Sequence, residues 1–351
     1  MVEWKELGEV AKLVRGKVIS KDYIRDFEGE YPVYSSQTTN DGVLGNINSY
    51  MFDGDYLTWT TDGAYAGTIF RRKGKFSITN VCGLIDITCS NIQQDFLYFW
   101  LSKTAKNYVL EGMGNPKLMS NVASTIPIPI PSLKEQIRIV GILDTFTASI
   151  DNLKEQIAQR RKQYEYYRDQ LLDLEGKEGV EMKKLSCIAE IGTGSSNTQD
   201  ELEKGKYPFF VRSQIVRWKN EYEFDETAII TSGDGVGVGK VLHYYEGKYA
   251  LHQRAYRIHV LVDDFVPKFL FYFMQKDFYN YIMLNAYAAS VTSVRKPMLL
   301  NYPIPVPSLQ EQQRIVDILD TFEASIQNLE AQLSQREKQY DYYRNKLLTF
   351  E

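Results

Sequence analysis

The chain has 351 residues and a net charge of −4, which gives room for two or three domains and is unlike the charge of a simple basic DNA-binding module. Cys82, Cys89 and Cys187 make an odd count at no metal-ligand spacing, which argues against a disulfide framework and for reduced thiols in a cytoplasmic setting. No signal peptide is expected and no apolar run approaches about 18 residues; the most apolar stretch, Phe265 to Ala289, is broken by Lys268, Lys276 and Asp277.

Residues 1–125 read as a first globular head. Trp4 to Leu13 predicts a short N-terminal turn or helix. Turn signals then alternate with short β-rich runs at Tyr31–Gln37, Asp55–Thr60, Gly67–Phe70 and Phe76–Thr79. Phe96 to Lys103 predicts an aromatic, buried helix, and Gly112 to Leu118 a loop.

Residues 126–175 open with Pro127, Pro129 and Pro131. Proline fixes φ and holds its predecessor extended, so this is a stiff lead. Ser132 stands three residues before Glu135, the capping-box spacing that starts a helix. Apolar residues then recur in steps of four and three through Ile139, Leu143, Phe146, Ile150, Leu153, Ile157, Tyr164, Tyr167 and Leu171, with Arg160 in one seam position. A seam sustained over about five heptads is a coiled-coil pattern, and it predicts a helix of roughly 65 Å.

Gly176-Lys-Glu-Gly is a linker, residues 176–301 form a second globular segment, and residues 302–351 then repeat the lead and helix. Pro303, Pro305, Pro307, Ser308 and Glu311 recur, as does a seam of Ile315, Leu319, Phe322, Ile326, Leu329 and Leu333, with Arg336 in the odd place. Residues 126–175 and 302–351 align without a gap at an offset of 176, with 33 identities in 50 positions, so the repeat governs any reading of the fold. The segments before them match more loosely. Tyr31-Pro corresponds to Tyr207-Pro, Ser36-Gln to Ser213-Gln, Thr61-Asp-Gly to Gly233-Asp-Gly, and Phe96-Leu-Tyr-Phe to Phe269-Leu-Phe-Tyr.

This contrast suggests two heads of one fold with different surfaces, joined to a spacer that hardly changes. The two helices are expected to pair antiparallel with each other; the alternative is that each dimerises with another chain. Arg160 and Arg336 read equally well as register devices and as solvated rim positions.

Motifs for catalysis are missing. Gly233-Asp-Gly-Val-Gly-Val-Gly-Lys240 has Asp234 where a phosphate-binding loop needs glycine and Val241 where it needs Ser or Thr, so a turn between strands explains it better. His243, His252 and His259 form no ligand pattern, and the N-P-P-[YF] or D-P-P-[YF] tetrapeptide of an adenine methyltransferase does not occur. No catalytic and no metal residue is assigned.

What remains is a set of basic and amide side chains near the turns: Gln37, Arg71, Arg72, Lys75, Asn80 and Lys117 in the first head, and Arg212, Gln214, Arg217, Lys240, Gln253, Arg254, Arg295 and Lys296 in the second. Arginine reads guanine, and Asn or Gln reads adenine, by paired hydrogen bonds in the major groove, while lysine mostly grips phosphate. Taken singly, each is explained as well by solvated surface. The heads carry formal charges of only −1 for residues 1–125 and +1 for residues 176–301, which counts against tight DNA binding by the chain alone.

The duplicated Pro-Ile-Pro-Ile-Pro-Ser-Leu-Lys-Glu-Gln at 127–136, echoed at 303–312 and each time entering a long helix, resembles the specificity subunits of type I restriction–modification enzymes. The likeness covers essentially the whole chain, although Ser132 and Ser308 stand where that family often has a second proline.

The resemblance implies an α+β chain with two mixed α/β target-recognition domains (1–125 and 176–301). Each is followed by a conserved region of proline lead and long helix (126–175 and 302–351), and the helices pair as an antiparallel coiled coil with pseudo-two-fold symmetry. It further implies a non-catalytic subunit whose heads each read half of an asymmetric bipartite duplex, with the helices as ruler and as docking surface for two modification (adenine-N6 methyltransferase) subunits. S-adenosylmethionine, ATP and Mg would sit on the modification and restriction/translocase partners and no cofactor on this chain. The competing reading is a non-catalytic coiled-coil scaffold with two protein- or ligand-binding heads. A self-sufficient methyltransferase is disfavoured by the missing motifs.

Overall fold

The computed structural model describes residues 2–111, 114–285 and 293–350. They form two compact units, Met1–Leu153 with Gln332–Glu351, and Lys154–Ala331. In the first, strands β1 (Glu3–Glu6), β2 (Ala11–Arg15), β3 (Glu28–Tyr34), β4 (Val43–Ile47), β5 (Phe52–Thr60), β6 (Ile69–Ile78), β7 (Cys82–Ile87) and β8 (Pro127–Ile130) build a six-stranded sheet of order β2-β7-β5-β6-β3-β4 and a separate β1-β8 pair. Only β3 and β6 run parallel.

The second unit repeats this with β9 (Glu181–Lys184), β10 (Ala189–Thr193), β11 (Tyr207–Phe210), β12 (Arg217–Lys219), β13 (Phe224–Ser232), β14 (Leu242–Leu251), β15 (Ala255–Val260) and β16 (Pro303–Val306). The sheet order is β10-β15-β13-β14-β11-β12, and β9 pairs with β16. Each strand therefore occupies its counterpart's place, and the parallel neighbours are again the matched pair, β11 and β14.

Two local expectations are refined. In Trp4 to Leu13 the helix is a single turn, Leu7–Val10, and the rest of the stretch belongs to β1 and β2. Leu7 and Val10 are buried at helical spacing, yet Trp4 pairs with Pro129 and Leu13 with Ile85, so strand pairing overrides a weak local preference. The runs expected at Gly67–Phe70 and Phe76–Thr79 are parts of one strand, β6. Gly112 and Met113 of the expected loop, and residues 286–289 of the apolar stretch, lie outside the described residues.

The proline leads are strands at the head's margin. Proline cannot donate to a ladder, so it suits only a strand edge. In β8, Ile128 is fully buried, as is Ile304 at the matching place in β16. Packed on the sheets are the aromatic helices Gln94–Thr104 and Pro267–Asn285. Trp59 and Phe96 are among the buried side chains of the first head, and Phe269 and Phe278 of the second. A Cβ on Gly83 would stand 2.2 Å from the Trp59 ring, so that packing requires glycine.

The long helices span Leu133–Leu171 and Leu309–Leu347, 39 residues each, or roughly 58 Å at 1.5 Å per residue. Ser132 Oγ accepts from the Glu135 N–H and Ser308 Oγ from the Glu311 N–H, both at 3.3 Å. The glutamates turn to Arg138 and Arg314 in the same helical turn, and these partners hold both carboxyls below their ordinary range.

The repeated glutamine is a buried staple. Gln136 accepts from the Gln93 N–H and donates to the Asn91 and Pro131 carbonyls, each at 2.8 Å. Gln312 accepts from the Val266 N–H and donates to the Asp264 and Pro307 carbonyls. The repeated aspartate is a second anchor, with Asp144 on Arg71 at 3.0 Å and Asp320 on Lys268 at 2.8 Å.

Within each unit the helices run antiparallel. In the second, Arg161 pairs with Glu330 while Tyr167 stacks on Phe322 at 5.4 Å, so rising numbers on one helix meet falling numbers on the other. Arg160 lies 5.8 Å from the Phe322 ring. In the first, Phe146 stacks on Tyr343 at 5.3 Å, Arg336 lies 5.8 Å from Phe146, and Phe350 packs on Phe96 and Trp100. Of the seam residues, Leu143, Ile150, Leu153, Ile157 and Leu319 are buried, and Phe146, Phe322, Ile326, Leu329 and Leu333 are half-buried. No helix of the described residues is long and apolar enough to cross a membrane.

Candidate nucleic-acid interface

The second head gathers its basic side chains on the turn that follows β13. The Gly233 N–H donates to the Arg254 carbonyl at 2.9 Å, and the Val294 N–H donates to the Gly233 carbonyl at 2.8 Å. These two bonds bring residues 252–254 and 293–296 to one place. Gly235, at φ 84°, makes the turn, and the neighbouring Val236 stands fully free of the protein.

At the base of this turn, Asp234 accepts from Arg212 Nη1 at 2.6 Å and from Arg254 Nη1 at 3.3 Å. Burial alone would raise the Asp234 carboxyl, but the hydrogen bond and charge of Arg212, with those of Arg254, hold it below the usual range. An open groove of about 330 Å³ beside it is lined by Glu201, Arg212, Arg217, Asp234 and Val236 among others.

Arg217 reaches Glu201 at 3.5 Å, Gln253 donates to Asn197 Oδ1, and Gln214 lies 3.5 Å from the Leu242 carbonyl. Arg295 and Lys296 are exposed at the start of the short helix that follows the residue bonded to the turn. Lys240, at the turn's far end, has its ammonium 5.1 Å from the Tyr279 ring. Six predicted residues thus adjoin this turn and groove: Arg212, Arg217, Gln253, Arg254, Arg295 and Lys296.

The first head has the same turn with different neighbours. The Thr61 N–H donates to the Val81 carbonyl at 3.1 Å and the Leu118 N–H to the Thr61 carbonyl at 2.9 Å. Asp62 lies 3.8 Å from Arg15 Nη2 and 3.8 Å from Lys117 Nζ. Arg15 also donates to the Asn80 carbonyl at 2.6 Å, which places Asn80 and Lys117 together there.

The other residues expected in this head are placed elsewhere. Gln37 is spent on the Val43 carbonyl. Lys75 lies 4.8 Å from the Tyr50 ring and 5.8 Å from Tyr31.

One expectation in this head is corrected by burial, and a second residue is tied down by pairing. Arg72 is only 2% exposed; it pairs with Asp41 at 2.7 Å, bonds Thr58, and lies over the Tyr34 ring at 3.6 Å. Arg71 is held by Asp95 at 2.8 Å and by Asp144 of the long helix, over the Tyr98 ring. Arg72 is interior and is not offered to a ligand in this structure, whereas Arg71 ties head to helix while staying at the surface.

Arg15, Asp62 and Asp234 were not among the expected residues. The signal that could have found the two aspartates is the Asp-Gly pair at matched places, Asp62-Gly63 and Asp234-Gly235. Among the described residues no group of His, Cys, Asp or Glu could hold a metal ion.

The profile of the family "Type I restriction modification DNA specificity domain" matches residues 1–160 and again 177–337. A candidate type I specificity subunit of Mycoplasma pneumoniae is 31% identical over 97% of this chain and 96% of its own. The N-terminal part of another from that organism is 40% identical over 48% of this chain and 94% of its own.

Among solved structures, the S subunit of a type I restriction–modification system from M. genitalium superposes with a TM-score of 0.73 at 16% identity, covering 100% of this chain and 97% of that one. At that identity the likeness concerns the fold alone. With both heads and both helices matched, the chain belongs to the family of type I restriction–modification specificity subunits.

Proposed function

We propose that each head reads one half of an asymmetric, bipartite duplex DNA target, while the paired helices set the unspecified gap and dock two modification subunits. The observation that carries this is one fold used twice with different side chains on the same turn: Arg15 and Lys117 about Asp62, Arg212 and Arg254 about Asp234. Identical heads would favour a palindrome. Heads of one frame and unlike surface favour two unrelated half-sites.

The outward faces of the helices support the docking role. Thr145, Asn152, Gln159, Lys162 and Tyr166 are exposed and recur, equally exposed, as Thr321, Asn328, Gln335, Lys338 and Tyr342. A surface kept twice while the heads diverge suits a partner present in two equal copies. On this reading the chain is non-catalytic and works in the cytoplasm. S-adenosylmethionine belongs to the modification subunits, and ATP and Mg to restriction/translocase subunits. The heads' near-neutral charge leaves part of the phosphate contact to those partners.

Selection from random duplexes by this chain bound to its modification subunit tests the reading. Two short enriched blocks at a fixed separation are expected. Failure to enrich any duplex, with the complex intact, would favour a protein-binding scaffold instead.

A further inference from the structure

The turn that holds Asp62 and Asp234 carries more information than the presence of cations nearby. Backbone pairing fixes which residues correspond between the heads, without reference to side-chain likeness. Val81 and Arg254 are matched because each carbonyl accepts from the residue just before the turn aspartate, Thr61 or Gly233. Lys117 and Ser293 are matched because each bridges to that aspartate. Arg15 and Thr193 are matched as the last residues of β2 and β10.

At all three positions one head has a cation and the other an uncharged residue. The first head uses Arg15 and Lys117 where the second has Thr193 and Ser293; the second uses Arg254 where the first has Val81, and adds Arg212. The aspartate and the glycine after it do not change, and both glycines have positive φ, 94° and 84°. A constant carboxylate in a rigid turn is thus surrounded by cations supplied from different sides.

We propose that these matched positions, 15/193, 81/254 and 117/293, determine which bases each head selects, and that the shared aspartate orients whichever cation is present. The proposal rests on the DNA-reading role given above. Its chemistry is that of pre-ordered donors. A guanidinium has five N–H groups in a planar fork, and Asp234 engages one N–H of Arg254 while that side chain remains 61% exposed.

The remaining edge faces outward with its rotamer already restricted, which lowers the entropy lost on binding. An outward guanidinium edge matches the O6 and N7 acceptors of guanine in the major groove. The second head is therefore assigned a guanine contact through Arg254. In the first head, Arg15 is committed to the Asn80 carbonyl with its side chain 38% exposed, and the more exposed cation is Lys117, at 53%, a point charge without the fork. That head is expected to show the weaker base preference at the corresponding place.

Adenine-methylation sequencing of cells carrying the complete complex, with this chain as wild type, R254V or R254K, tests the proposal. R254V installs the first head's residue, and R254K keeps the charge on Asp234 while removing the fork. Both are expected to relax one position of one half-site, roughly 5- to 150-fold in discrimination, with the other half-site and the gap unchanged. If R254V unfolds its head and abolishes methylation, R254K alone decides. An unchanged half-site in a variant that still methylates would overturn the proposal. A wild-type chain that produces no split motif would instead overturn the DNA-reading role itself.

Discussion

Gln136 and Gln312 show what a single residue contributes here. Each satisfies one N–H and two carbonyls between a head and the first turn of a long helix, and each is fully buried. Replacing Gln136 with Leu would fill the volume but remove the side-chain partner of three backbone groups, of which the Pro131 carbonyl is buried. At about 1–1.5 kcal/mol per lost bond the expected cost is roughly 3–4 kcal/mol, read as a lowered Tm in thermal unfolding. An unchanged Tm would mean that water or rearrangement replaces the staple.

The motif around Gln136 was legible as a helix start, but the glutamine's role was not, because its partners at Asn91 and Gln93 are distant in sequence. Arg72 was misread for a similar reason. Arg71-Arg72-Lys73 sits in a strand whose faces alternate, and the sequence does not reveal that Arg72 points toward Tyr34 and Asp41.

At the scale of elements, the helices were the most legible part. Their seam repeats over many turns, so one odd residue cannot hide it, and the odd residue proves useful. Arg160 lies over Phe322 and Arg336 over Phe146, each ring also stacked on a tyrosine of the opposite helix. Such aromatic pairs contribute about 0.5–1.5 kcal/mol beyond their area. Replacing both Phe146 and Phe322 with Ala is expected to lower the Tm and to weaken binding of the modification subunit, measured by gel filtration of the mixed proteins. Full retention of both would remove the stacks from the account of register.

The strand order was not legible. Short runs such as Tyr31–Gln37 and Asp55–Thr60 could be recognised as strands, but the parallel pairing of β3 with β6 depends on contacts across more than forty residues of chain. Periodicity carries no record of such partners. The edge role of the proline leads could be argued from chemistry alone, since a strand lacking alternate N–H groups has only one usable side.

For the whole molecule, one frame presents two different surfaces from a duplicated support. Family membership follows from the match of both halves, and the same strand order recurs in both heads. On the proposed reading, the bases chosen by each head would be set by a few side chains on a turn, which is why they escape any motif. If the proposed DNA-reading role holds, near-neutral heads would leave part of the phosphate contact to partner subunits.

The most direct measurement is genome-wide adenine-methylation sequencing in cells that express the modification subunit with and without this chain. An asymmetric motif of two blocks separated by a fixed gap, present only with the chain, is the expected result. No new methylation while the modification subunit is expressed and active, or a contiguous motif with no gap, would contradict the account.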